Sequence, residues 1–368
     1  MRHAIHILLA FSMALPAIAN AQTVGEVKPA GREPTLTIGG LLQVQLDAGD
    51  KGDSRFANDF DRFYLRRARL NVSGRFLEEF DFRLEMDLAG SLSNTSGLRA
   101  QMTDGYVNWN RYPAAIVRVG QFKTPFGFEQ LYGDPRLITI ERTLVNDRLT
   151  LNRQLGAQVG GELFEKRLGY AIGAFNGNGV NNNFNDNNAF TTAGRVTAVP
   201  WQGKLGSAAS TWSVGVDGFS SKDTGLALSD LGLDSTPATP DKDGLFTGNR
   251  RGSGVDSQLV AGLFELWGEL LRGHFEPASK IPRASFDSGG WYGQASCFVV
   301  PSRFQVVVKY ETFDPNDRKN ADETKTATLG ANVYLKGHDL KLMADYLRTE
   351  LPGAQKTHKV IARLQVQF

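Results

Sequence analysis

A single cysteine, Cys297, excludes any disulfide within the chain. Histidine is scarce too. Beyond the first residues there are only His274, His338 and His358, each in or beside an expected loop or turn and none near a recognisable serine motif. A paired nucleophile and base therefore has no candidate, and clusters with metal-ligand spacing are lacking. No catalytic residue, metal or cofactor is expected. A net charge of +2 is too weak to argue for a nucleic-acid partner. After Leu15 no apolar run reaches the roughly 18 residues that a membrane-spanning helix needs. Mean hydropathy is −0.28, as in a soluble protein. A transmembrane barrel has the same average, because half of each strand faces water.

The amino terminus points to export. Arg2 precedes a short apolar core, Ile5 to Leu15, and Ala19-Asn20-Ala21 has small residues at a cleavage spacing. Residues 1–21 are expected to be a signal peptide, 22–34 a short periplasmic segment, and 35–368 a barrel.

What the chain has in abundance is alternation. Phe80, Phe82, Leu84, Met86 and Leu88 interleave with Asp81, Arg83, Glu85 and Asp87. Successive strand side chains face opposite ways, so this segment has one oily and one ionic face. The same period runs through Leu36–Leu46, Arg67–Ser73, Trp212–Asp217, Thr328–Leu335 and Leu340–Tyr346. Sixteen such segments start near residues 35, 62, 80, 102, 115, 154, 168, 189, 211, 255, 264, 290, 303, 325, 340 and 359. Ten residues at about 3.3 Å each, tilted near 40°, span roughly 25 Å, the height of an outer-membrane apolar band.

The connections alternate in length. Long ones are expected at 48–61, 89–101, 123–153, 176–188, 220–254, 273–289, 313–324 and 348–358. Short ones are expected at 75–79, 110–114, 164–167, 261–263, 300–302 and 336–339, with 199–210 longer than its class. Outer-membrane barrels have this arrangement, with loops outside and turns in the periplasm. The last strand ends on an aromatic, as Ala362, Leu364, Val366 and Phe368 alternate with Arg363, Gln365 and Gln367. Hydrocarbon cannot satisfy an open sheet edge, so the strands must close. The expected fold is an all-β, 16-stranded antiparallel transmembrane barrel. Its polar inner face is expected to enclose water, not a dry core.

Several stretches resemble the phosphate-selective porin O/P family. They are Phe63-Tyr64-Leu65-Arg66-Arg67-Ala68-Arg69-Leu70, Phe82-Arg83-Leu84-Glu85-Met86-Asp87, Val119-Gly120-Gln121-Phe122-Lys123-Thr124-Pro125-Phe126, Glu141-Arg142 and Thr328–Leu335. The resemblance implies a homotrimer of barrels in outer-membrane lipid and lipopolysaccharide. Each barrel would be narrowed by an inward-folded loop, 123–153, and would pass phosphate, polyphosphate or other small anions.

Arginine and lysine rings draw anions into pores, and guanidinium binds phosphate or carboxylate through two bonds. Candidates on the strands are Arg67, Arg69, Arg83, Arg118 and Arg195, with Lys309 and Arg363 in the same phase. Candidates in the loop are Lys123, Arg136, Arg142, Arg148 and Arg153. Asp81, Glu85, Asp87, Glu162, Asp217, Glu311 and Asp345 share the strand phase, so the plain alternative is ion pairing that stiffens the wall. Two functional alternatives stand beside anion passage: a general or cation-preferring pore, and a plugged structural or adhesive barrel.

Overall fold

Residues 34–56, 60–89, 99–231, 233, 245–278 and 284–368 are described by the structure, a computed structural model. The expected signal peptide and nearly all of the segment 22–34 lie outside the described residues.

The strands are Thr35–Gly49 (β1), Arg62–Phe76 (β2), Phe80–Asp87 (β3), Gln101–Tyr112 (β4), Ala115–Lys123 (β5), Arg153–Leu163 (β6), Leu168–Phe175 (β7) and Thr191–Leu205 (β8). They continue as Ala208–Ala227 (β9), Leu245–Ala261 (β10), Phe264–Pro277 (β11), Phe286–Val300 (β12), Phe304–Asp314 (β13), Thr324–Lys336 (β14), Leu340–Leu351 (β15) and Gln355–Gln367 (β16). Each pairs antiparallel with its sequence neighbours. β1 pairs with β16 from Leu41↔Gln367 to Gly49↔Lys359, closing the barrel. The alternation decides which way each strand faces. In β1, Leu36 and Ile38 stand outward, 66% and 62% exposed, whereas Gln43, Gln45 and Asp47 point inward and are buried. A shift of one residue would place those carboxamides in lipid.

Several expected connections are shorter than the sequence suggests, among them 273–289, which is cut to the eight residues between Pro277 and Phe286. The link at 199–210 is a tight turn between Leu205 and Ala208, with Gly206 supplying the left-handed φ of 61°. The link at 348–358 is reduced to Pro352–Ala354. The link at 220–254 loses both ends, because β9 and β10 stay paired from Leu245↔Ala227 onward. The start of β10 therefore lies at Leu245 and not near 255. The run Gly248–Gly254 carries almost no apolar side chains to reveal it, but backbone pairing above an apolar band needs none.

The interior departs from the expectation of a wholly wet lumen. The segment between β5 and β6 contains a helix, Leu144–Leu149 (α2), after a short one, Phe128–Leu131 (α1). Leu144, Val145 and Leu149 pack with Phe175, Phe219, Phe246, Phe275, Phe286 and Phe313, which lie on β7, β9, β10, β11, β12 and β13. Phe175, Phe246 and Phe275 are fully buried. At about 2 kcal/mol for each buried aromatic, this dry cluster holds the helix against the wall. It fills one side of the barrel and leaves the side of β1–β6 for polar groups.

Candidate functional site

The segment 124–152 has little regular structure, so its backbone groups need partners from elsewhere. The inward faces of the strands supply them. Wall carboxylates accept from its amides: Gly127 N donates to Asp217 (3.2 Å), Phe128 N to Glu269 (2.5 Å) and Ile140 N to Asp345 (2.7 Å). Wall donors reach its carbonyls. Lys341 Nζ donates to Leu137 O (2.7 Å), Asn332 to Ile138 O (2.8 Å), Arg363 to Ile140 O (2.6 Å) and Lys309 Nζ to Glu141 O (3.0 Å). Ile140 packs with Phe56, Met343, Leu347 and Ile361, and Ile138 with Trp267 and Val307. Lys309 of β13, Lys341 of β15 and Arg363 of β16 are therefore bound up in holding this segment.

On its other side lies a cavity of about 810 Å³, walled by β2, the ends of β5 and β6, and the segments 54–55 and 130–152. Nine basic side chains line it: Arg55, Arg62, Arg66, Arg67, Arg69, Lys123, Arg142, Arg148 and Arg153. Four acidic ones do: Asp87, Asp134, Glu141 and Asp147. A fault in the strand alternation concentrates this charge. Gln43 faces Arg67 but Val44 faces Leu65, so Arg66 is an extra residue in a β-bulge. The bulge resets the phase of β2. Arg62 and Tyr64 on one side of it, and Arg67 and Arg69 on the other, all border the cavity together with Arg66.

Two carboxylates of the segment organise these arginines. Asp134 meets Arg69 and Arg142 at 2.5 Å and Arg67 at 3.2 Å. Glu141 takes two bonds from Arg66, at 2.7 and 2.9 Å, and one from Arg363 at 2.5 Å. Burial pushes the Asp134 carboxyl up, but Arg142, Arg67 and Arg69 outweigh it and hold the group well below the usual carboxylate range. Glu141 follows the same pattern: burial raises it, and Arg66 and Arg363 bring it below its ordinary value. Both remain anionic, each shared by several cations.

Of the residues singled out in the sequence, Arg67, Arg69, Lys123, Arg142, Arg148 and Arg153 line this cavity. Arg118 and Arg195 line a second, of about 370 Å³, between β4 and β8, which Lys123 also borders. Arg195 is neutralised there by Asp217 and by Asp256 at 2.7 Å. Arg83 and Arg136 line neither. Arg83 bonds Glu85 at 2.5 Å, and Arg136 is exposed at the end of the single turn Asp134–Arg136. Sequence reasoning missed Arg55, Arg62 and Arg66 as lining residues. Arg66 sits out of phase until the bulge is known. Arg55 lies in the connection between β1 and β2, in the turn Ser54–Phe56, and reaches Glu311 on β13 and the carbonyl of Arg142 (2.5 Å). No periodicity could announce that this connection reaches a strand so distant in sequence.

A sequence model of phosphate-selective porin O and P matches residues 40–229 and 235–368. The chain belongs to the phosphate-selective porin O and P family. This porin is an outer-membrane channel, and the interval that the match leaves out falls in the connection between β9 and β10. An uncharacterized protein of Aquifex aeolicus (strain VF5) is 24% identical over 392 residues, covering 93% of this chain and 89% of its own. Among solved structures, a loop-deletion mutant of OmpT, an outer membrane protein of Vibrio cholerae, superposes with a TM-score of 0.64 at 11% identity, over 91% of this chain and 99% of its own. The outer membrane channel DcaP of Acinetobacter baumannii gives 0.62 at 14%, over 91% and 97%. An anion-selective porin from Comamonas acidovorans gives 0.61 at 14%, over 91% and 100%. At these identities the likeness is one of fold.

Proposed function

We propose that this porin passes small anions, phosphate or polyphosphate among them, and that the segment 124–152 narrows the lumen to force them past the cationic cavity. The observation that carries this is that nine basic but only four acidic side chains line that cavity, the carboxylates of Asp47, Asp53, Glu85, Asp104 and Glu311 meeting four of the arginines from behind the lining. Two of the four acids, Asp134 and Glu141, bind several arginines each and neutralise only part of them. Focused positive potential in a low-dielectric wall concentrates anions. The anion-selective porin with the same fold supports the reading, and the trimer form of OmpT supports assembly as a homotrimer.

Planar-bilayer recording under a KCl gradient tests the reading. The reversal potential is expected to favour chloride, and phosphate is expected to inhibit chloride current less in Arg142→Ala than in the wild type. A reversal potential favouring potassium would instead establish the cation-preferring alternative. The dry cluster around Phe275 favours one further reading, a plugged barrel of structural or adhesive role. Purified protein that inserts without conductance steps would establish that one.

A further inference from the structure

The second cavity differs in kind from the first. Its walls include Tyr106, Phe122, Pro125 and Leu131 beside Gln158 and Thr197, so apolar surface adjoins hydrogen-bonding groups. Its cations are not equally committed. Lys123 Nζ donates to the carbonyls of Gln130 (2.6 Å) and Tyr132 (3.3 Å), and Arg195 is held by two aspartates. Asp104, the acid of this cavity, is taken by Arg153 at 2.8 Å. Arg118 is different. Its Nε donates to Asn108 (2.8 Å), and its guanidinium lies 4.3 Å from the ring centre of Tyr106 and 5.4 Å from that of Phe122. Among the described residues no carboxylate pairs with it, in contrast to Arg69, Arg83, Arg153 and Arg195.

We infer that this cavity is a separate subsite for a small organic anion with an apolar body, an arenecarboxylate, bound through the Nη groups of Arg118. Stacking on Tyr106 fixes the plane of the guanidinium and leaves its outer edge to meet a carboxylate through two bonds. A strongly hydrated inorganic anion would need donors all round. Here Phe122, Pro125 and Leu131 offer it none and instead suit an aromatic ring. Size agrees, since a dry cavity of about 150 Å³ already admits benzene, and this one measures about 370 Å³.

The inference rests on the reading of the channel as an anion pathway, and one experiment separates the two. Chloride current through the reconstituted full-length channel is titrated with benzoate and with acetate, which share a charge and differ in the ring. Benzoate is expected to inhibit at concentrations about tenfold lower than acetate. That ratio should fall towards one in both Arg118→Gln and Leu131→Ser, the second of which leaves the wall strands intact. Heat-dependent gel mobility verifies that each variant is a closed barrel. Equal inhibition by the two anions in the wild type, or an unchanged ratio in both folded variants, would overturn the subsite while anion selectivity stood. A reversal potential favouring potassium in the same bilayers would overturn the underlying reading.

Discussion

At the scale of single residues, Asp134 is the centre of the cationic cavity. Three arginines converge on it, from β2 and from its own segment. Asp134→Asn keeps the shape and removes the charge. The expected outcome is a channel more selective for anions by a factor of about two or more, seen as a shift of reversal potential, with tighter phosphate block. It should also be less stable, because removing one partner of a buried ion pair costs about 3–5 kcal/mol where water cannot compensate. Arg66 shows what a bulge does to the function of a residue. In the phase of Arg67 and Arg69 it would face lipid, yet the bulge leaves it turned towards Glu141.

At the scale of elements, the attachment of the segment 124–152 has a definite pH dependence. The folded carboxyls of Asp134 and Glu141 lie below their ordinary values of 3.8 and 4.5. Their contribution is therefore fully present above those values and is lost as pH falls through the lower folded ones. The difference in unfolding temperature between the wild type and the double variant Asp134→Asn/Glu141→Gln should stay constant from pH 7 to about 5 and shrink only in stronger acid. A difference that already collapses near pH 6 would show that these groups are not held by their arginines.

The seam between β1 and β16 invites a second test at this scale. Gly40 and Phe368 exchange both backbone bonds, at 2.9 and 3.1 Å, and a Cβ on Gly40 would come within 2.5 Å of the Phe368 ring. Because that ring is exposed and can swing aside, Gly40→Ala should weaken closure by no more than about 1 kcal/mol, read as a slightly lower temperature of the gel-mobility transition. The same change in a Phe368→Ala background should be much milder, since the ring that it meets is gone.

The whole molecule is a closed wall with an asymmetric filling. The wall-facing phenylalanines and α2 form a dry cluster on one side, and the arginines gather on the other. Phe275→Ala should lower stability by about 3–5 kcal/mol, measured as a reduced denaturant midpoint in detergent. A variant of unchanged stability would mean that the cluster does not brace the barrel.

The sequence by itself determined the wall. A period of two, long enough to cross an apolar band and repeated sixteen times, has one solution in lipid, because every backbone group must be paired there. Arg67 and Arg69 of β2 could be read off the same pattern, and the cations of the 123–153 connection off its unusual length. Only the tertiary structure decided which cations are committed. Lys309, Lys341 and Arg363 bond the segment 124–152 away from the cavity, whereas Arg55 and Arg66 bond it and border the cavity as well. Alternation assigns a face to each side chain. Which groups meet depends on a bulge, on two connections that bond distant strands, and on residues hundreds of positions apart, and no local period carries that information.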